Sequence, residues 1–262
     1  MLPATMSINF TILNGVATIE IARPEKKNAL TAAMYQSMAE AIVAARADTT
    51  VRALLIIGQP GIFTAGNDLA DFMANPPSSI DSPVFRFMRA LLRCEKPVVA
   101  AVTGAAIGIG TTMLLHCDLV YVAEDARFAM PFTSLGLVPE FASSLLLPQL
   151  MGRVQAAEKL LLGEPFNGVQ AVALGLANAA LPAGEVIMHG RAMAERFNQL
   201  PAGAVRESKR LLHAHSIERT EAVLLAEAGV FVARLKSPEA REAFQAFFDK
   251  RRPDFSKLAE QP

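Results

Sequence analysis

Two glycine-containing turns in this chain could each present unpaired backbone N–H groups to a ligand. The first, residues 65–68 (Ala-Gly-Asn-Asp), follows an apolar run and opens a predicted helix. The second, residues 104–110 (Gly-Ala-Ala-Ile-Gly-Ile-Gly), lies between an apolar strand and a helix predicted over residues 111–116. The first N–H groups of a helix have no partner inside it, so they can bind an anionic oxygen. We therefore expect that the two turns can converge on one oxygen atom.

Glu140 is the candidate acid or base for chemistry at these turns. It follows Pro139, and the sequence predicts that it lies in the first turn of a helix, where an acidic side chain complements the helix dipole. A purely structural role in starting that helix stays open on this pattern. Helix capping is an equally simple role for Asp68, and close helix packing is one for the glycine-rich turn.

Several other catalytic patterns are absent from the sequence. It has no GxSxG elbow, no GxxxxGK[ST] phosphate loop and no HExxH zinc motif. Residues 108–110 (Gly-Ile-Gly) begin like a dinucleotide-binding fingerprint, but Met113 stands at the third glycine position. The four histidines have no metal-ligand spacing. The sequence therefore predicts no metal, flavin or nicotinamide cofactor.

The composition fits one large globular domain, or a domain with an appendage. The chain has 262 residues, of which 52% are hydrophobic, and 25 basic residues balance 25 acidic ones. No global charge therefore favours nucleic acid or an anionic membrane as a partner. No apolar stretch reaches the length of a membrane-spanning helix, and the apolar surroundings of Cys94 and Cys117 argue against a disulfide framework.

The chain ends bear on cellular location. Residues 1–9 lack the basic start and apolar run of a secretory signal, and the last four residues, Ala-Glu-Gln-Pro, are not a peroxisomal address. We therefore expect a cytoplasmic protein.

The elements that must position the two turns are predicted to alternate between strands and helices. The Asn14-Gly15 pair predicts a hairpin between strands at Ile8–Leu13 and residues 17–21. Further elements are the strands Ala53–Ile57, Val98–Val102 and Leu119–Ala123 and the helices over residues 31–46 and 81–92, with a surface loop over residues 75–83. Strands that are apolar on both faces and alternate with helices indicate a covered, largely parallel sheet and the α/β class.

From Arg153 onward the pattern is almost wholly helical. Helices are predicted over residues 153–162, 169–174, 183–198, 201–215 and 220–248, the last with a break at Ser237-Pro238. The segment after Leu200 carries many large apolar residues, which must be buried against the core or another subunit.

Six segments form an ordered set along the chain: residues 23–30 (RPEKKNAL), 63–69 (FTAGNDL), 96–104 (KPVVAAVTG), 108–110 (GIG), 117–118 (CD) and 131–136 (PFTSLG). Together they resemble the crotonase family, also called the enoyl-CoA hydratase/isomerase superfamily. The resemblance implies a crotonase-like spiral of ββα turns over residues 1–200, which carries an acyl-CoA site. It also implies a C-terminal helical trimerisation region over residues 201–262, and hence a homotrimer or hexamer.

By position, the resemblance assigns an oxyanion hole to the backbone N–H groups of Asn67 and Ile109. A thioester carbonyl that becomes an enolate gains negative charge on its oxygen, which two preorganised donors stabilise selectively. Coenzyme A would be part of the substrate rather than a separate cofactor. The resemblance implies that its site is lined by Lys27, Ala29, Ala65, Gly66, Asp68 and Leu69. Taken alone, Lys27 is equally well explained as a solvated lysine in a polar turn.

The positions of carboxylates separate the reactions of this family. Members that hydrate enoyl-CoA carry two glutamates, at positions where this chain has Thr112 and Phe132. Glu140 instead resembles the single catalytic acid of the Δ3,Δ2-enoyl-CoA isomerases. The resemblance therefore implies that Glu140 removes a C2 proton from a 3-enoyl-CoA and returns it at C4. Apolar neighbours are expected to raise its pKa.

Other functions stay open at this point. Within the family, the chain could hydrate a 2-enoyl-CoA or hydrolyse a thioester with Glu140 as its sole acid and base. A non-catalytic acyl-CoA-binding scaffold is a further alternative. RNA binding has little support from the balanced charge, although residues 250–252 (Lys-Arg-Arg) form a basic cluster. The sequence determines neither the acyl chain length nor the choice between trimer and hexamer.

Overall fold

The computed structural model of the protein describes residues 7–256 and Leu258. Much of what was inferred from the two chain ends, and the last few residues of the predicted C-terminal region, lie outside these residues. The strands are β1 (Ile8–Leu13), β2 (Val16–Ile21), β3 (Ala53–Ile57), β4 (Ile62–Thr64), β5 (Val98–Val102), β6 (Ala105–Ile107), β7 (Leu119–Ala123), β8 (Arg127–Ala129), β9 (Phe166–Asn167) and β10 (Ala179–Leu181).

The helices in the same part of the chain are α1 (Ala32–Ala47), α2 (Leu69–Ala74), α3 (Pro83–Leu92), α4 (Ile109–Thr112), α5 (Ser143–Met151), α6 (Arg153–Leu161), α7 (Gly168–Ala173), α8 (Val186–Glu195), α9 (Ala202–His213), α10 (Ile217–Arg234) and α11 (Pro238–Phe248). Short 3-10 turns lie at Pro24–Lys26, Met113–His116, Thr133–Leu135 and Arg196–Gln199.

The larger sheet has the strand order β1-β2-β3-β5-β7-β10. The β1–β2 hairpin is antiparallel, and every other neighbouring pair is parallel. Every residue of β3 and β5 is buried, as expected for parallel strands covered on both faces. The hairpin turn has positive φ angles of 50° at Asn14 and 71° at Gly15, which these two residue types tolerate well. The α/β class, the hairpin and the parallel sheet are therefore confirmed.

The smaller sheet has the order β4-β6-β8-β9. Its first three strands are parallel, and each follows a strand of the larger sheet directly along the chain. A helix then follows β4 and β6, which gives the ββα turns implied by the family resemblance. Residues 65–68 and Gly108 occupy the junctions where β4 meets α2 and β6 meets α4.

One detail of the sequence-based prediction is wrong. Residues 104–110 are not one tight turn, because they contain β6, and the following helix begins at Ile109 rather than at Thr111. The prediction that the region after Arg153 is almost wholly helical is confirmed, apart from the short strands β9 and β10. These strands have two or three residues each, too few for a period-two pattern to emerge from the sequence.

The prediction that Glu140 lies in a first helical turn is also wrong. Residues 139–142 are not helical, and α5 begins only at Ser143. The physical reason is the backbone that follows Glu140. Phe141 and Ala142 both have a φ of 58°, in the left-handed region that a right-handed helix excludes.

The C-terminal helices pack onto the core of the same chain. Helix α10 contacts α3 and α5, and Leu224, Phe231 and Phe244 are buried. Other large apolar residues of this region, including Leu212 and Phe247, remain exposed on the single chain. Trimerisation and the division at residue 200 stay predictions. In the described part of the chain, no helix is long and apolar enough to cross a membrane.

A substitution at Gly104 tests whether the close approach between successive ββα turns contributes to the stability of the fold. Its φ is 67°, and a Cβ there would lie 1.9 Å from the carbonyl oxygen of Gly61. We expect Gly104→Ala to lower the free energy of unfolding, measured by chemical denaturation, by more than about 1 kcal/mol. The matched control is Gly203→Ala, because Gly203 is exposed in α9 and an added Cβ meets nothing within 4 Å. Equal stability of the Gly104 variant and the wild type would contradict this account.

Candidate active site

A cavity of about 710 Å³ lies between the two glycine turns. Asn67, Gly108 and Ile109 line it, so both predicted N–H donors belong to residues of the same cavity wall. All six residues predicted to line a coenzyme A site also line this cavity: Lys27, Ala29, Ala65, Gly66, Asp68 and Leu69. Glu140 lines a smaller adjoining cavity, which shares Asn67, Phe72 and Phe231 with the larger one. The structure therefore brings the predicted residues together, while their chemical roles remain predictions.

The backbone of residue 67 is turned so that its N–H faces away from the neighbouring chain segment. Leu30 donates its N–H to the Gly66 carbonyl at 2.8 Å and accepts the N–H of Asp68 at 2.9 Å. Asn67 lies between these two bonds. Among the residues that the structure describes, none accepts the Asn67 N–H. Gly66 permits this geometry, because it has a φ of 88° and a Cβ there would meet the Ile107 carbonyl oxygen at 2.8 Å.

The second donor lies where β6 turns into α4. Gly108 has a φ of 56° and donates its own N–H to the Ala129 carbonyl at 2.8 Å. Its carbonyl accepts the N–H groups of Thr111 and Thr112. Ile109, as the first residue of α4, has no partner for its N–H within residues 7–256. The two residues that the resemblance assigns to an oxyanion hole therefore have N–H groups without an acceptor in the described part of the chain, and the hole itself stays a prediction.

Asp68 does cap a helix, which was one of the two roles left open. Its Oδ1 accepts the N–H groups of Ala70 and Asp71, at 3.1 and 3.2 Å. Its Oδ2 accepts a hydrogen bond of 2.8 Å from Nη1 of Arg23. Partial burial opposes ionisation of Asp68, but the Arg23 guanidinium and the helix N–H groups outweigh it and lower the pKa. Asp68 therefore holds the turn that carries Asn67 in addition to lining the cavity.

Lys27 contributes through its backbone. Its φ is 52°, and its carbonyl oxygen accepts the N–H of Ala65 at 3.0 Å. This bond joins the segment before α1 to the first glycine turn. The cavity wall at Lys27 and Ala65 is therefore formed by two chain segments that are joined by a backbone hydrogen bond.

Glu140 is the buried carboxyl group of the site, with only 5% of its surface exposed. Thr112 donates its hydroxyl hydrogen to Oε1 of Glu140 at 2.7 Å. Burial raises the pKa of Glu140 to about 8, and the nearby charge of Glu227 adds to this, while the Thr112 hydrogen bond opposes it. A carboxyl group with such a pKa can both accept and donate a proton near neutral pH.

Tyr35 is a member of the site that the sequence did not reveal. Its hydroxyl donates to Oδ1 of Asn67 at 2.5 Å. Burial, followed by the charge of Glu140, raises its pKa well above the ordinary value, so Tyr35 stays a neutral donor. Tyr35 lies on the buried face of α1, where an aromatic residue is typical of a core, and no sequence signal distinguished it. Thr112 was noted only as a position without a glutamate, and Glu227 was not noted at all.

No group of three or more His, Cys, Asp and Glu side chains in the described residues is arranged to hold a metal ion. The free cysteines Cys94 and Cys117 are not paired with each other. Reaction without a separate cofactor remains a prediction.

The pH dependence of stability tests the burial of Glu140. Its ordinary pKa is 4.5, and in the folded protein it is about 8. Between these values the unfolded chain has released the proton that the folded protein keeps. The wild type should therefore lose stability relative to Glu140→Gln as pH rises from about 4.5 to about 8, by on the order of a few kcal/mol. If the free energy of unfolding depends on pH in the same way for the two proteins across this range, the burial of an ionisable carboxyl is contradicted.

Comparisons with known proteins agree with this arrangement. Residues 11–258 match the family described as "Enoyl-CoA hydratase/isomerase". A Bacillus subtilis protein named "Probable enoyl-CoA hydratase" is 32% identical over 256 residues, which cover 95% of this chain and 98% of that protein. Human "Enoyl-CoA delta isomerase 2" is 31% identical over 245 residues, which cover 91% of this chain and 62% of that protein.

A solved structure has the same fold as this chain. The structure of Pseudomonas aeruginosa OdaA superposes with a TM-score of 0.90 and is 55% identical in sequence. The match covers 92% of this chain and 98% of OdaA. This chain therefore shares its fold with a solved structure over nearly the whole length of both chains.

Proposed function

This chain belongs to the enoyl-CoA hydratase/isomerase family of acyl-CoA enzymes, and we propose that within it the protein is a Δ3,Δ2-enoyl-CoA isomerase. The observation that carries this proposal is that Glu140 is the one carboxyl residue, among the described residues, that lines the small cavity beside Asn67. Glu140 is buried beside Asn67, and its hydrogen-bond partner is Thr112, one of the two positions where hydratases of the family carry a glutamate. Isomerisation needs one acid–base group, whereas hydration needs one for water and one for the α-carbon.

In the proposed reaction the acyl-CoA thioester lies in the cavity of about 710 Å³. Coenzyme A is part of the substrate, and Lys27, Ala29 and the turn around Gly66 contact it. The thioester oxygen accepts the N–H groups of Asn67 and Ile109. Loss of one such donor typically raises the barrier by about 3 kcal/mol. Because both donors are backbone groups, side-chain substitutions at these positions can leave them intact.

Glu140 then moves one proton. Its carboxylate removes a proton from C2 of the 3-enoyl-CoA, and the electron pair of the broken C–H bond moves into a dienolate with negative charge on the thioester oxygen. The carboxyl returns the proton to C4, the carbonyl re-forms, and the double bond lies between C2 and C3. No other reactant is consumed. Phe132, Leu137 and Phe141 are buried around this region and help to exclude water.

A raised pKa suits this role. A carboxylate whose conjugate acid has a pKa of about 8 is a stronger base than an ordinary glutamate, which favours removal of a weakly acidic C–H proton. The base must be ionised in the free enzyme, so kcat/KM should rise with pH through a midpoint near 8.

Hydration of a 2-enoyl-CoA is the second candidate, and the name of the Bacillus subtilis relative favours it. The geometry of the second carboxyl argues against it. Glu227 is close enough to raise the pKa of Glu140, but each of its oxygens already accepts a backbone N–H, from Ala142 at 2.6 Å and from Ser144 at 2.9 Å. Glu227 also lines neither the large nor the small cavity, so it is not placed to activate water there.

Oligomeric state, cellular location and the need for a cofactor also stay proposals. We expect a homotrimer or a hexamer, because large apolar residues such as Leu212 and Phe247 are exposed on the single chain. We also expect a cytoplasmic enzyme that needs no separate cofactor.

Incubation with a 3-enoyl-CoA and, separately, with a 2-enoyl-CoA tests the proposal. Conjugated-thioester absorbance and product mass are followed together. We expect the 3-enoyl-CoA to become a 2-enoyl-CoA without change of mass, and Glu140→Gln to slow this on the order of 10²- to 10⁴-fold. Glu124→Gln, on the exposed surface, is the control and should keep wild-type activity.

The other outcomes of this experiment separate the alternatives. An increase in mass by one water favours a hydratase, and release of free coenzyme A favours a thioesterase. Binding without turnover favours an acyl-CoA-binding scaffold. Full isomerase activity of the Glu140 variant would contradict the assigned base.

A further inference from the structure

The backbone after Glu140 adopts a conformation that its residues disfavour. Phe141 and Ala142 both have a φ of 58°, and neither is a glycine. Both residues are almost completely buried. Two successive left-handed residues with a Cβ persist only where their surroundings hold them. This pair lies directly between Glu140 and the first residue of α5, so it determines the direction in which the chain enters the site.

Glu227 is the side chain that holds this loop from the other side. Its Oε2 accepts the N–H of Ala142 at 2.6 Å, and its Oε1 accepts the N–H of Ser144 at 2.9 Å. The two residues flank the start of α5. A second contact comes from His116, whose Nε2 lies 2.8 Å from the Phe141 carbonyl oxygen and whose ring stacks on the Phe141 ring at 3.8 Å.

The location of Glu227 on its helix is unusual for a charged residue. The buried residues of α10 are Thr220, Leu224, Glu227, Ala228 and Phe231, which lie on one face at helical spacing. Leu224, Ala228 and Phe231 line the small cavity beside Glu140. Glu227 has 9% of its surface exposed, and a buried carboxylate is costly unless it is well hydrogen-bonded. Burial raises the pKa of Glu227, and its hydrogen bonds from Ser144 and Ala142 oppose this and offset part of the cost.

We propose that Glu227 is a positioning residue for Glu140. Glu227 accepts the N–H groups of Ala142 and Ser144, and in this way it fixes the left-handed loop after Glu140. It also places its own negative charge beside the catalytic carboxyl. The description of Glu140 as catalytic rests on the isomerase function proposed above. These hydrogen bonds make a C-terminal helix part of the active-site framework. Glu227 itself touches no reacting atom.

The electrostatic consequence follows from the groups that face Glu140. Glu227, from α10, raises the pKa of Glu140 by the proximity of its negative charge. Tyr35, from α1, is neutral because its pKa is raised, and Thr112, from α4, carries no charge. His116 is buried behind Phe141, and burial lowers its pKa to about 4, so it is neutral as well. Removal of the Glu227 charge should therefore lower the pKa of Glu140.

Two variants of Glu227 separate its charge from its geometry. Glu227→Gln keeps the shape but removes the charge and one acceptor. We expect kcat to fall on the order of tenfold or more, with KM little changed, and the midpoint of the pH profile to move to lower pH. Glu227→Asp keeps the charge but shortens the side chain, so kcat should fall while the midpoint stays closer to that of the wild type. The matched control is Glu218→Gln, an exposed residue of the same helix.

A rescue experiment tests whether Glu227 acts through the loop. Glycine adopts a positive φ without steric cost. We therefore expect Ala142→Gly, added to Glu227→Gln, to restore kcat several-fold while the midpoint stays at the lower pH. No gain from the second substitution would contradict action through this loop. A Glu227→Gln enzyme with wild-type kcat and an unchanged midpoint would overturn the proposal.

A measurement without substrate keeps this inference separate from the proposed function. The protonation of Glu140 is followed by the infrared absorption of its carboxyl group, assigned by difference from Glu140→Gln. We expect the Glu140 titration to move to lower pH in Glu227→Gln and not in Glu218→Gln. An unmoved titration would overturn the electrostatic part even if the wild type is an active isomerase. If the titration of Glu140 moves to lower pH in Glu227→Gln but the wild type has no isomerase activity, the positioning role of Glu227 is supported and only the proposed reaction is contradicted.

Discussion

Burial of the Glu140 carboxyl is the constraint on which the site depends. Only 5% of this residue is exposed, so the carboxyl is stable mainly in its neutral form, and its pKa rises to about 8. Every neighbour acts within this constraint: Thr112 donates to one oxygen, Tyr35 remains a neutral phenol, and Glu227 adds a negative charge. Once ionised, such a carboxyl is a stronger base than an ordinary glutamate, and after it has taken a proton it can return that proton, which suits the proposed movement of one proton between two carbons.

The spiral of ββα turns supplies the other half of the site. Each turn carries a short strand in the smaller sheet and then a helix, so the junctions after β4 and β6 are stacked next to each other. Gly66 approaches the Ile107 carbonyl so closely that a Cβ would lie 2.8 Å from its oxygen. This contact is why the amides of Asn67 and Ile109 belong to one cavity wall. The C-terminal helices complete the arrangement, since α10 reaches the loop beside Glu140 through Glu227.

Much of this architecture could be predicted from the sequence, because the signals are local. Asn14-Gly15 predicts the hairpin, the apolar runs of β3 and β5 predict buried parallel strands, and Thr31 caps α1 through its Oγ1. The parts that failed have no local signal. Phe141 and Ala142 adopt positive φ angles without a glycine, and their partners His116 and Glu227 come from other parts of the chain. Glu227 is separated from Ala142 by 85 residues, and its one clue was a charge on the apolar face of α10.

The most direct test of the account follows the proton itself. A 3-enoyl-CoA that carries deuterium at C2 is converted by the wild type in ordinary water, and the product is examined by mass spectrometry and NMR during a single turnover. If one water-excluded carboxyl removes and returns the same proton, part of the deuterium lost from C2 appears at C4 of the 2-enoyl product. A product with no deuterium at C4, or one that has gained a water molecule, would contradict the claim that Glu140 alone carries the proton.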